Sequence, residues 1–229
     1  MDIFNLPDSS RVIRKKARAT RGRIGGASEY DAEELVHPVA RALGLNVPDI
    51  YRSGEKEMFV DFVENGKLAD ELRPAGEYGD DHLEKYATSP DGLRTGLLDL
   101  IILNGDRHDA NWFVTDDERI IPIDHGSAFG GGNVATPSIA PEPKSVFERA
   151  FTYNPWDIGE DFEPEDEYQA GKWIDQHPVS LASMRRLRAK LEALKAQFEA
   201  MGRAQWHAAM MARFAELEKR AKRVGGIDI

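Results

Sequence analysis

Three oxygen-bearing side chains in the middle of the chain have the types and spacing to do chemistry together: Asp106, Asn111 and Asp124. Asp106 and Asn111 stand five residues apart in the polar stretch Asn104-Gly105-Asp106-Arg107-His108-Asp109-Ala110-Asn111, and Asp124 opens an Asp-x-Gly triplet with His125 and Gly126. A carboxylate can orient a hydroxyl and take its proton. An amide oxygen and a second carboxylate can hold a hard cation such as magnesium. Those are the parts that phosphoryl transfer requires.

The elements around these residues must bring them together. The apolar segment Gly92–Asn104 is long enough for a largely buried helix, with Pro90 near its start. It runs directly into the polar loop. Two short apolar runs, Asn111–Val114 and Ile120–Ile123, flank an Asp-Asp-Glu turn and signal a hairpin. A helix, loop and hairpin in that order present Asp106, Asn111 and Asp124 at one edge of a cleft. Trp112, beside Asn111, is expected to anchor the hairpin in the core, with a substrate platform as the alternative.

Upstream, Ile3–Pro7 and Arg11–Ala17 read as two strands around the turn formers Asp8, Ser9 and Ser10. After a Gly-rich stretch, Ser28 is placed to cap a helix over about 29–43, with Gly44 as its stop and Pro38 expected to kink it. Residues 46–66 read as a strand pair that ends at Asn65-Gly66, after which helices are expected. Residues 130–145 read as a loop. Met184, Leu187, Leu191, Leu194, Phe198 and Met201 recur at helical spacing, and a second series runs from Trp206 to Val224, which predicts a helical hairpin over 180–224. Packing on its own domain is the simpler use of that hairpin; a homodimer seam is the other.

The chain of 229 residues carries 30 Lys+Arg and 40 Asp+Glu, a net charge of -10, and no cysteine. Without cysteine there is no disulfide framework, thiolate nucleophile, iron–sulfur cluster or usual structural zinc site. Oxygen-ligand chemistry is what remains. No run of about 18 apolar residues occurs, so the chain reads as soluble and cytoplasmic, with no membrane partner. Net charge is -1 over residues 1–64, -15 over 65–175 and +6 over 176–229. Such acidity argues against nucleic acid as a partner and disfavours an anionic phosphatidylinositol surface.

With these residues in view, a resemblance can be stated. Asp106-Arg107-His108 with Asn111, followed by Ile123-Asp124-His125-Gly126, resembles the atypical kinases of the phosphatidylinositol 3- and 4-kinase, HipA-type and secretory-pathway kinase group. Their loop reads D-R-H-x-x-N where ordinary protein kinases have H-R-D. The resemblance implies an α+β, two-lobed protein-kinase-like fold, with a shortened β-rich N-lobe over 1–64 and a helical C-lobe over 65–229. It implies Asp106 as the base or hydroxyl-orienting group, supported by His108, with Asn111 and Asp124 as magnesium ligands. Glu33 lies eleven residues before Gly44-Leu45, as a HipA-like helix glutamate does, and Val12-Ile13-Arg14-Lys15 resembles V-A-I-K. These nominate Lys15 and Glu33 as the ATP-positioning pair, with Lys16 as the rival one residue out of phase. The segment Met58–Gly66 is similar to an inter-lobe hinge that would hold adenine around Asp61, Phe62 and Val63.

The resemblance therefore implies an ATP- and magnesium-dependent transfer to a protein or small-molecule hydroxyl. Nothing before Ile3 supplies the first strand of a glycine-rich loop. A scaffold pseudokinase stays open for that reason, and an AMP-transferring enzyme stays open because the same metal site can serve a nucleotide bound in reverse. The stretch Arg18–Gly26 could instead cover phosphates as a basic flap, or the Arg11–Arg23 bases could be a solvated strand edge. The acidic stretch 157–167 is a solvated loop by default and a basic-substrate recruiter by alternative. His108-Asp109 is also the dipeptide of HD-type metal hydrolases, but His37 and His82 stand in the wrong context to add ligands.

Overall fold

In a computed structural model of the chain, residues 2–6, 11–16, 29–53, 57–72, 83–129, 145–151 and 179–229 are described. Ser28, the basic flap, the loop over 130–144, His82 and the acidic stretch 157–167 lie outside them.

The chain forms an α+β arrangement of two small antiparallel sheets and a larger body of helices. Strands β1 (Asp2–Asn5), β2 (Arg11–Lys16), β3 (Ile50–Arg52) and β4 (Glu57–Asp61) make one sheet in the order β1-β2-β4-β3. Period-two alternation decides which side chains face inward. On β4, Met58 and Val60 are buried and pair in register with Lys15 and Ile13 of β2, so Ile13, Lys15 and Val60 share the inner face. The backbone of Lys16 pairs in register with Glu57, one position out of phase with Lys15.

Helix α1 (Glu29–Ala42) begins with Glu29 and Asp31, which complement the positive end of its dipole. It closes at Gly44, whose φ of +85° permits paired bonds from the Leu45 amide to the Ala40 carbonyl (3.0 Å) and from the Gly44 amide to the Arg41 carbonyl (2.9 Å). The helix runs through Pro38 without interruption. Its apolar face, Ala32, Leu35, Val36, Val39 and Ala40, enters the main core with side chains from the later helices. The inner face of the sheet makes a much smaller cluster with Tyr30, Met58 and Val60. The helix that follows the first strands is thus buried chiefly against the helical body.

Strand β5 (Gly66–Leu68) pairs with β6 (Trp112–Thr115), which pairs with β7 (Ile120–Pro122). The expected hairpin is β6–β7. Strand β5 was not expected, because three residues Gly-Lys-Leu are too short to show a period. Trp112 is fully buried, edge-on to Phe147 at 4.7 Å and to Tyr86 at 6.1 Å. That burial removes it as a substrate platform.

Helix α3 (Pro90–Ile102) follows the short α2 (Glu84–Ala87) and is capped by Ser89, whose hydroxyl accepts from the Gly92 amide at 3.0 Å. Nearly all of its residues are buried. A Cβ on Gly92 would lie 2.1 Å from the Tyr86 carbonyl oxygen and 2.4 Å from that of Ala87. Gly92→Ala gains about 1 kcal/mol in helix propensity but must push two backbone groups apart. A net loss of about 2 kcal/mol is expected in chemical denaturation; a variant at least as stable as the parent would contradict this packing.

The remaining helices are α4 (Val146–Phe151), α5 (Leu181–Glu192), α6 (Lys195–Ala200) and α7 (Ala204–Arg220). The Met184–Met201 series is divided at Ala193–Leu194 into α5 and α6, and α7 ends before Val224, which is exposed. Isolated bridges from Val179 to Ile227 and from Ser180 to Lys222 tie the chain end to the start of α5. His207 is buried on α7, with its Nε2 3.0 Å from the Leu191 carbonyl. No described helix is long and apolar enough to cross a membrane.

Candidate functional site

A cleft lies between the β1–β4 sheet and the β5–β7 sheet. Its lining is largely apolar, with Ile13, Ile50 and Val60 from one sheet and Leu68 and Phe113 from the other. The same lining includes Lys15, Glu33, Asn111, Asp124 and His125. An apolar cleft with a cluster of charge in its lining is suited to a flat heterocycle carrying an anionic tail.

Lys15 holds the charged cluster together. Its Nζ donates to Glu33 Oε1 at 2.6 Å and to Asp124 Oδ1 at 3.1 Å. Three distant parts of the chain therefore meet at one ammonium group. Burial alone would lower the lysine, but Glu33 and Asp124 outweigh it and raise it above its ordinary value. Burial pushes Glu33 up against the pull of Lys15, and Asp124 adds to the rise. For Asp124 burial acts upward, but Lys15 and Arg107 prevail and hold it below the usual aspartate range. Lys15 lines the cleft.

Asn111 ends a short 3-10 turn immediately before β6, and Asp124 follows β7. The Ile123 amide donates to the Asn111 carbonyl at 3.0 Å, which sets the two segments side by side. Asn111 gives its side-chain N–H to the Asp106 carbonyl at 2.7 Å, so its amide oxygen is the atom left for another partner. Asp124 sits in the left-handed region at φ 55°, an unusual conformation for a non-glycine residue. It is followed by Gly126, where a Cβ would press on Glu29 at 3.3 Å.

A divalent cation fits this donor set. Two hard oxygens, Asn111 Oδ1 and the Asp124 carboxylate, are what magnesium takes from a protein when phosphate oxygens and water complete its shell. Among the described residues no group of three or more His, Cys, Asp or Glu could hold a metal by itself.

Asp106 is exposed, and its carboxylate accepts from Ser127 Oγ at 3.4 Å. His108 is exposed as well; its Nδ1 accepts from the Ala110 amide at 3.3 Å, which caps the 3-10 turn. The proposed hinge is divided. Asp61 and Val63 line the cleft, whereas Phe62 does not and has the Arg11 guanidinium 3.9 Å above its ring. The amides of Asp61 and Phe62 are spent on the carbonyls of Asp49 and Arg11, each at 2.8 Å, so that of Val63 is the hinge donor left for a ligand.

Sequence reasoning gave no role to Asp99 and none to Arg107 beyond its place in the motif. Both side chains are completely buried, with Arg107 Nη2 3.0 Å from Asp99 Oδ1. A signal was present in the sequence. A lone acid within Leu97-Leu98-Asp99-Leu100-Ile101-Ile102 must be paired if that helix is buried.

Residues 55–149, fewer than half of the chain, match the family model for phosphatidylinositol 3- and 4-kinase. No curated protein matches the chain. The matched span carries the Asp106 loop, the hairpin and Asp124, and excludes Lys15 and Glu33. The contact of Lys15 with Asp124 is therefore an observation separate from the match. The fold is that of a two-lobed, kinase-like α+β protein, and the similarity over 55–149 suggests phosphotransferase activity of the kinase class.

Proposed function

We propose that the protein is an ATP- and magnesium-dependent phosphotransferase that moves the γ-phosphate to a hydroxyl of a protein or small molecule. The observation that carries this reading is the double contact of Lys15 with Glu33 and Asp124 in a largely apolar cleft that Asn111 also lines.

In this reading the apolar lining and the Val63 amide hold the adenine. Lys15, oriented by Glu33, meets the phosphates as a fixed cation. Asn111 and Asp124 would hold a magnesium ion, which would supply charge neutralisation on the transferred group. Asp106 receives the acceptor's hydroxyl in a hydrogen bond and takes its proton as the new O–P bond forms and the bond from the γ-phosphorus to the β,γ-bridging oxygen breaks, releasing ADP. His108 holds the loop turn. The N-lobe of residues 1–64 supplies Lys15 and the hinge, while residues 65–229 supply the loop and the metal donors.

Incubation with magnesium and ATP labelled at either the γ or the α position tests this. Transfer of γ label to a protein or to small alcohols is expected; transfer to phosphatidylinositol vesicles, included because of the name of the matched family, would instead make a lipid the acceptor. Transfer of α label would indicate AMP transfer. ATP binding without any transfer would make the chain a nucleotide-binding scaffold, and no thermal shift with ATP would remove the nucleotide reading altogether.

A further inference from the structure

Arg107 has five N–H groups in a rigid fork, and all five are used. Nε donates to Asp99 Oδ2 at 3.1 Å. Nη2 donates to Asp99 Oδ1 at 3.0 Å and lies 2.9 Å from His125 Nδ1. Nη1 donates to the Asn111 carbonyl at 2.6 Å and to the Ile123 carbonyl at 2.5 Å. Those two carbonyls belong to Asn111 itself and to the residue just before Asp124. One planar cation therefore spans the backbone on either side of the metal-donor gap.

Asp99 reaches the third functional residue as well. It sits in the last turn of α3 and accepts from Asn104 Nδ2 at 3.1 Å, and Asn104 Oδ1 accepts from the Asp106 amide at 3.3 Å. Neither Asp99 nor Arg107 lines the cleft. Holding two carbonyl groups at a set separation does not by itself need a buried ion pair, which carries a desolvation cost. A short lysine-like cation could satisfy one or two carbonyls but could not bridge both while also meeting a carboxylate edge-on and an imidazole.

We propose that the buried Asp99–Arg107 pair is a positioning device that sets the separation of Asn111 and Asp124, and through it the affinity of the site for its divalent cation. This rests on the phosphotransferase reading for the identity of the two donors. Arg107 acts through the backbone on both sides of the gap and touches neither metal nor nucleotide.

The test separates metal affinity from nucleotide affinity. Free Mn2+ is measured by electron paramagnetic resonance in the presence of ADP, and ADP binding is measured separately in EDTA. In Arg107→Lys, Mn2+ affinity is expected to fall about 10–100-fold, with ADP affinity in EDTA within about threefold of the parent. Asp99→Asn, which presents a donor to Arg107 Nε where an acceptor stood, should move Mn2+ affinity in the same direction. It serves where the lysine variant does not fold. Parent-like Mn2+ affinity in a folded Arg107 or Asp99 variant overturns the proposal. So does a parallel loss of ADP affinity in EDTA, which would mean that the whole cleft had collapsed. Failure of the parent protein to bind Mn2+ with ADP would instead overturn the phosphotransferase reading.

Discussion

Asp106→Ala is expected to lower γ-phosphate transfer by about 10²–10⁴-fold while leaving ATP affinity within about threefold. The separation follows from how the loop is held. The Asp106 amide donates to Asn104, and its carbonyl accepts from the Asn111 side chain and the His108 amide. All three bonds are made by the main chain and survive in alanine. What is lost is an exposed carboxylate whose one side-chain partner among the described residues is Ser127, at 3.4 Å. Initial rates with labelled ATP, beside calorimetric ATP binding, check the result. Parent-like transfer would remove Asp106 as the base, and an equal loss of ATP affinity would make it a structural residue.

Lys15→Met is expected to abolish measurable transfer and to cost about 3 kcal/mol of stability at neutral pH. The lysine is the shared cation of two carboxylates, and Glu33 behind it is buried. Without it Glu33 and Asp124 face each other unneutralised, and Glu33, already raised by burial, rises further. A carboxyl whose folded pKa lies above its unfolded value binds more protons in the folded state, so stability increases as pH falls through that raised value. The deficit of Lys15→Met should therefore shrink when pH is lowered from 7 towards the ordinary glutamate value of 4.5. The parent depends on Asp124 in the opposite sense. Its depressed carboxylate contributes stability above the ordinary 3.8, and that contribution is lost as pH falls through the lower folded value. Denaturant titrations at several pH values distinguish the two slopes. Adding Glu33→Gln to Lys15→Met should recover most of the loss at pH 7 without restoring transfer. A deficit that does not change with pH would show that the ion cluster is not its source.

Much of the frame was readable because it is periodic or punctuated. The turn formers around β2, the apolar run of α3 with Pro90 near its start, the helical spacing on α5 and α7, and Gly44 are local signals, and the structure uses each of them. The polar loop and Asp-x-Gly triplet were legible as a donor set because residue type and spacing survive in one dimension. Strand β5 was not legible, since a three-residue strand takes its existence from its partner β6. The roles of Arg107 and Asp99 were hidden for a different reason. A buried arginine looks like any exposed one until the acceptors from α3, the loop and the hairpin have been folded around it. Phe62 shows the same limit, because only the local backbone path decides that its ring turns to Arg11 and away from the cleft.

The burial of α1 against the later helices has a mechanical consequence. Glu33 rides on the helical body, while Lys15 rides on the sheet, so their salt bridge spans the boundary across which the cleft opens. Asp31, two residues before Glu33, is gripped from both sides, by Arg52 of β3 at 2.7 Å and by Arg203 from the turn between α6 and α7 at 2.8 Å. The cleft therefore cannot widen by rotation of the sheet without lengthening the Lys15–Glu33 contact or straining the Arg52 clasp. Spreading of the jaws and loss of the Lys15–Glu33 ion pair are one and the same displacement.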